Sequence, residues 1–295
     1  MTPIHTLWVL IACIYVPLAA VILAGMTWIW RTKGTTGSAP VKEGLLRAPG
    51  ESLRLKFDEL SDQLGTIIVT AILLPGFTMA LILVTSPNGI LATGRAWAAF
   101  AACTLLLLPL AWLLFRRADE LRNYRLGFHG ERAAGEQINQ LMREGCYVFH
   151  DVPVESYGNV DHVVISPAGV FAVETKAHRK RKAPKGRRDW EVNYDGKVLD
   201  FPTYKNASDL EDARRGANLL RAMLSKAVGE EVRVSPVLAL PGWMVNPLVK
   251  SPGIPVVNPK NIRYTVLAEG ADRLPPKLMA QIAYQLEQKC RDVEM

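Results

Sequence analysis

Residues 159–176 read NVDHVVISPAGVFAVETK. Two runs rich in β-branched and apolar residues flank Ser-Pro-Ala-Gly, a set of residue types that suits a tight turn. With Pro167 and Ala168 as the central turn residues, Ser166 faces Gly169 and Ile165 faces Val170. Counting outward, Asp161 faces Glu174. Side chains alternate along a strand, so Glu174 and Lys176 share a face with Asp161, Val163 and Ile165. Opposed Cβ atoms lie about 4.5–5.5 Å apart, where like charges destabilise a sheet. A shared proton, Lys176 alone or a divalent cation would each offset the repulsion. Oxygen-only ligands with few carboxylates suit Mg²⁺ or Mn²⁺. The plain alternative is a solvated strand end where both acids hydrate.

Upstream, HGERAAGEQINQLMREG (129–145) reads as a helix ended by Gly145, with Ala134, Ile138, Leu141 and Met142 as its apolar stripe. Glu131 falls on the core-facing side and Glu136 on the wet side. An acid pointing inward is costly unless paired or ligated. The alternative is a place for Glu131 in a fraying first turn, favoured by the helix dipole. CYVFHDVPV (146–154) reads as a strand.

Downstream, residues 179–188 hold seven cations and no acid: Arg179, Lys180, Arg181, Lys182, Lys185, Arg187 and Arg188. Over residues 116–295 there are 28 Lys and Arg against 23 Asp and Glu, so this loop carries the whole positive excess. A basic loop beside paired acids suits a polyanionic substrate. Anionic lipid headgroups attract such segments too.

Asp195-Gly196 marks a hairpin between short strands near Trp190–Asn193 and Lys197–Phe201. SDLEDARRGANLLRAMLSKAVG (208–229) reads as a helix with a Ser208/Glu211 capping box and a stripe of Leu210, Ala213, Ala217, Leu220 and Leu224. Arg214, Arg215 and Arg221 lie off that stripe, where they can touch phosphates; the plain alternative is that, like most surface arginines, they touch only water. Strands at VRVSPVLAL and IPVVN and a helix at PPKLMAQIAYQLEQK complete a mixed α/β order. His162 points away from the acids and reads as packing. The chain shows no GxxxxGK[ST] phosphate loop, so no nucleotide cofactor is expected. Cys146 and Cys290 are isolated, so neither a disulfide framework nor a CxxC metal site is expected.

Residues 7–30, 64–84 and 96–115 contain no Lys, Arg, Asp or Glu, and each approaches the ~20 residues that cross a bilayer. They predict a three-helix transmembrane region over 1–115 and a domain over 116–295. Lys and Arg cluster between the first two stretches and after the third. The positive-inside rule then predicts an outer N-terminus and a cytoplasmic C-terminal domain, as in a multi-pass protein of a bacterial-type inner (plasma) membrane. The polar loop between the first two stretches is expected to hold a short amphipathic helix near Leu53–Leu60.

Gly130-Glu131, Asp151-Val152-Pro153-Val154 and the whole string 159–176 together resemble the nuclease-related domain, NERD, over about residues 125–265. The later EDARRGANLL and PVLALPGW also resemble that family. The resemblance implies a restriction-endonuclease-like fold with a PD-(D/E)xK signature, a mixed sheet flanked by helices. It implies that Asp161 and Glu174 hold a metal and that Glu131 contributes directly or through water. Lys176 would orient or activate the attacking water and stabilise charge on the phosphate. Two departures stand out. Asp212 occupies a position where the family often carries glutamine, and the basic insertion after Lys176 is long. Three readings stay open: a membrane-anchored metal-dependent nuclease acting on nucleic acid, with DNA the expected form; a non-catalytic nucleic-acid tether; and an interaction protein whose basic loop meets membrane lipid.

Overall fold

The computed structural model describes residues 44–85, 94–155, 157–250, 252–268 and 273–293. The stretch 7–30 lies outside them. Chain contacts divide the molecule into two units, Met1–Pro40 with Asp58–Arg122, and Val41–Phe57 with Asn123–Met295.

In order, the elements are strand β1 (Leu45–Leu46), helix α1 (Glu51–Thr85), helix α2 (Gly94–Ile138), a 3₁₀ turn (Asn139–Glu144), and strands β2 (Tyr147–Val154), β3 (Gly158–Ser166), β4 (Gly169–Thr175), β5 (Glu191–Tyr194), β6 (Leu199–Asp200) and β7 (Lys205–Asn206). Helix α3 (Ser208–Val228), strands β8 (Val234–Ala239), β9 (Met244–Pro247) and β10 (Val256–Val257), a 3₁₀ turn (Pro259–Asn261), helices α4 (Arg263–Val266) and α5 (Pro276–Cys290) and strand β11 (Arg291–Val293) follow.

The apolar stretches 64–84 and 96–115 fall within α1 and α2. Among the described residues no helix is long and apolar enough to cross a membrane. Along these helices Ile68, Ile72, Leu105, Leu108, Trp112 and Phe115 are exposed. Arg116 lies over the Trp112 ring, and Arg117 pairs with Glu120 at 2.8 Å.

In the other unit a five-stranded sheet has the order β10-β8-β4-β3-β2. The strands β2, β3 and β4 are antiparallel, while β8 runs parallel to β4 and to β10. The β3–β4 hairpin has the register read from its turn, Ser166 opposite Gly169 and Ile165 opposite Val170. Both faces of the sheet are covered, so β3 is buried almost from end to end. On one face Val163, Ile165, Val170 and Ala172 pack with Ala217, Leu220 and Leu224 of α3 and Ile282 and Leu286 of α5. On the other, Val164, Phe171 and Val173 pack with Ala134 and Ile138 of α2 and with Val266 of α4. A second sheet, β7-β6-β5-β9, surrounds Tyr194, Phe201 and Trp243. The mixed α/β class is as expected, and the Asp195-Gly196 hairpin forms, with Gly196 at φ +92°.

Four expectations need correction. Helix α2 does not begin near Glu131 but far upstream, so Glu131 does not sit in a fraying first turn. Met142 is exposed, because the chain tightens to a 3₁₀ turn after Ile138 and shifts the helical phase. The Ser208/Glu211 box does not form. Instead Asn206 Oδ1 accepts the Asp209 N–H at 3.1 Å. The helix near Leu53–Leu60 is the start of a 35-residue element.

Candidate active site

The β3–β4 hairpin supplies the first acids. Its last paired positions are His162 and Val173, so Asp161 and Glu174 come next in register, on the α3 face. Both are buried. Asp161 Oδ2 accepts the Thr175 N–H at 2.7 Å, which fixes its carboxylate across the strand end. Glu131 arrives from α2 on the opposite face. A Cβ on Gly130 would lie 2.6 Å from the Ala177 Cβ, so only glycine lets this turn of α2 meet the chain just beyond β4. That contact brings the next residue, Glu131, to the strand ends. Glu131 Oε2 is buried with no hydrogen-bond partner.

Burial and mutual repulsion dominate the acids. Burial, then Asp151 and Glu174, push the Glu131 carboxyl up to about 8. Burial, then Glu174 and Glu131, hold Asp161 well above the usual carboxylate range. Burial raises Glu174 as well, against the opposing pull of Lys176. Lys176 Nζ lies 3.0 Å from Glu174 Oε1 and 3.0 Å from Asp212 Oδ2. Burial would lower its pKa, but these carboxylates raise it, so the ammonium stays charged.

Three neighbours of the site escaped sequence reading. Tyr157, in the β2–β3 turn, donates to the Asp212 carbonyl at 3.1 Å and lies 3.5 Å from Glu174 Oε2. Asp151 is fully buried with φ +50° in mid-strand. It accepts from Arg47 at 2.8 Å, the Ser52 hydroxyl at 2.7 Å and Asn159 at 2.7 Å. Third, His178 lies 2.7 Å from Asp209 and 2.8 Å from the Tyr204 hydroxyl. An acid two residues before Pro153 and a histidine two after Lys176 were the only signals, and neither spacing specifies a partner. His162 packs as expected, its Nδ1 2.8 Å from that of His150.

The basic loop is partly pinned. Arg179 donates to Asn123 at 3.2 Å, Lys180 lies over the Trp243 ring and Arg187 pairs with Asp200 at 3.2 Å. Arg188 stands 4.0 Å from Glu191. Arg181, Lys182 and Lys185 are exposed, with no ion-pair partner among the described residues. A cleft of about 380 Å³ lies where the loop leaves β4, lined by Asn123, Ala177, His178, Arg179, Arg181 and Tyr204 among others. Arg214 and Arg215 are exposed on α3, and Arg215 pairs with Asp212 at 2.8 Å. The structure thus gathers Glu131, Asp161, Glu174 and Lys176, and Arg215 is linked to Lys176 through Asp212.

Among the described residues no group of three or more His, Cys, Asp or Glu side chains is arranged to hold a metal ion. The donor chemistry nevertheless fits a hard cation. The available atoms are carboxylate oxygens, one of them buried without a partner, and the acids repel one another when ionised. Residues 126–241 match the family model described as NERD, nuclease-related domain. No curated protein and no solved structure matches the chain.

Proposed function

We propose that this chain is a membrane-anchored, metal-dependent nuclease of the restriction-endonuclease-like PD-(D/E)xK fold, hydrolysing phosphodiester bonds of nucleic acid, with DNA the first substrate to test. The observation that carries the reading is the buried set Glu131, Asp161 and Glu174 with Lys176, beside a loop holding seven cations. Asp161 and Glu174 are the residues that would hold Mg²⁺ or Mn²⁺, with Glu131 contributing directly or through water. When bound, such a cation supplies Lewis acidity and lowers the pKa of its water. Lys176, kept charged by Glu174 and Asp212, presents its ammonium to the scissile phosphate and stabilises the charge that develops there. The cations of 179–188, with Arg214 and Arg215, draw in the polyanion.

Three uncharged stretches and the exposed Ile68, Ile72, Leu105, Leu108, Trp112 and Phe115 support membrane anchoring. Orientation, with the catalytic unit in the cytoplasm, rests on the distribution of Lys and Arg. The second reading, a tether that binds nucleic acid without cutting it, draws on the exposed Arg181, Lys182 and Lys185, which have no ion-pair partner among the described residues.

The full chain, purified in detergent and given plasmid DNA with Mg²⁺ or Mn²⁺, tests these readings. Cleavage should fall at least about 100-fold in Glu174→Gln and Lys176→Met. Cleavage that persists in both variants removes the site. Salt-dependent binding without any cleavage supports the tether. Flotation with anionic vesicles but no affinity for DNA supports the lipid-facing alternative.

A further inference from the structure

We infer that Asp212 is a positioning residue for Lys176: its carboxylate, anchored on α3, holds the lysine's ammonium at the strand end independently of Glu174. The inference rests on the nuclease reading and specifies how that site keeps its cation in place.

Lys176 lies one residue past β4, where its N–H still bonds the Ala239 carbonyl at 3.0 Å. That bond fixes the backbone and leaves the four-carbon stem free to swing. Two carboxylates stop it, each 3.0 Å from Nζ. They are not equivalent. Glu174 belongs to the proposed metal pair, so a bound cation draws its charge away from the lysine. Asp212 comes from a different element and is itself held. Its Oδ1 accepts from Arg215 at 2.8 Å, and its carbonyl accepts the Tyr157 hydroxyl at 3.1 Å. Tyr157 is fixed in turn. A Cβ on Gly216 would lie 3.2 Å from its ring, and Arg215 stands over that ring at 5.3 Å. Were Glu174 to hold a metal, Asp212 would still retain the ammonium.

The geometry also shows how a second anion is tolerated where phosphate must approach. Asp212, Arg214, Arg215 and Asn218 line a cleft of about 590 Å³ along α3. Arg215, 2.8 Å from Oδ1, offsets the Asp212 charge on the open side, while Oδ2 faces Lys176. An uncharged amide at this position accepts a hydrogen bond but exerts no ionic hold on the lysine.

Two measurements on the full chain test the inference. The first acylates lysines with an N-hydroxysuccinimide ester and follows Lys176 by mass spectrometry, with exposed Lys226 as the internal standard. Lys176 should react about 5-fold or more faster in Asp212→Ala than in the wild type, and Asp212→Glu should restore protection. Unchanged labelling in Asp212→Ala overturns the inference. The second is DNA cleavage. Asp212→Ala should lower kcat about 10-fold or more with KM changed less than about threefold, and Asp212→Glu should recover most of it. A loss that falls on KM, or that Glu does not rescue, also overturns it. A wild type that cuts nothing removes the nuclease reading, while the labelling still decides whether Asp212 holds Lys176.

Discussion

Gly130 and Ala177 meet so closely that a methyl group on the glycine would stand 2.6 Å from the alanine Cβ. That contact sets where α2 crosses the end of β4, and Glu131 is the next residue along the helix. Gly130→Ala should push the helix outward and carry Glu131 away from Asp161 and Glu174. We expect a loss of about 1–3 kcal/mol from overpacking and at least about tenfold lower cleavage. Denaturant unfolding and plasmid nicking check the two effects. The double variant Gly130→Ala/Ala177→Gly should recover part of both.

Glu131 makes stability depend on pH. Its carboxyl titrates near 8 in the fold, against an ordinary 4.5. The folded chain therefore holds a proton that the unfolded chain releases. The associated stabilisation is complete below pH 4.5 and is lost as pH rises through about 8. Glu131→Gln has no proton to lose. In chelator the variant should gain on the wild type between pH 5 and pH 9 by about 2–5 kcal/mol. Thermal melts across that range measure the gap, and a constant gap would place Glu131 in water. At pH 8, Mg²⁺ should raise the wild-type Tm and leave that of Asp161→Asn/Glu174→Gln unmoved.

Asp151 is fully buried and ion-paired to Arg47. Asp151→Ala removes the buried carboxylate that accepts from Arg47, Ser52 and Asn159 and keeps a Cβ at φ +50°. The expected cost is about 3–5 kcal/mol. Asp151→Asn, which retains one acceptor oxygen, enough for either Ser52 or Asn159, should cost less. Urea unfolding of the two variants decides.

The loop cations divide into pinned and free. Neutralising Arg181, Lys182 and Lys185 should reduce the slope of log K against log salt for duplex DNA by about 2–3. Neutralising Arg187, which pairs with Asp200 at 3.2 Å, should change the slope by less than one such contact. Fluorescence anisotropy at several salt concentrations reads both. An unchanged slope in the triple variant moves the DNA path elsewhere.

The hairpin register was legible because Ser-Pro-Ala-Gly leaves few ways to close, and alternation then fixes the faces of Asp161, Glu174 and Lys176. The α3 stripe was legible for the same reason of periodicity, and Leu210, Ala213, Ala217, Leu220 and Leu224 are all buried. Asp151 was not legible. Its positive φ and its partners Arg47 and Ser52 come from a segment about a hundred residues away, and no local pattern encodes such a pairing. Tyr157 and Asp212 were obscured similarly, since the link between them depends on how α3 is laid across the sheet. Glu131 was half legible. Helical spacing turned it inward, but the fit of Gly130 against Ala177, which determines how far it reaches, belongs to tertiary packing.

Leu45 pairs with Val293 in the small β1–β11 ribbon, and the Arg47 N–H bonds the Cys290 carbonyl at 3.0 Å. The segment that caps Asp151 is thus buttoned to residues 290–293. A shortened protein starting after the last uncharged stretch would keep Glu131, Asp161 and Glu174 and still lack the guanidinium that pairs with Asp151. Trimming the final residues would loosen the same button from the other side. Separating the unit that holds residues 126–241 from the uncharged stretches therefore calls for a spliced polypeptide that carries Leu45 to Phe57 along, rather than a single cut.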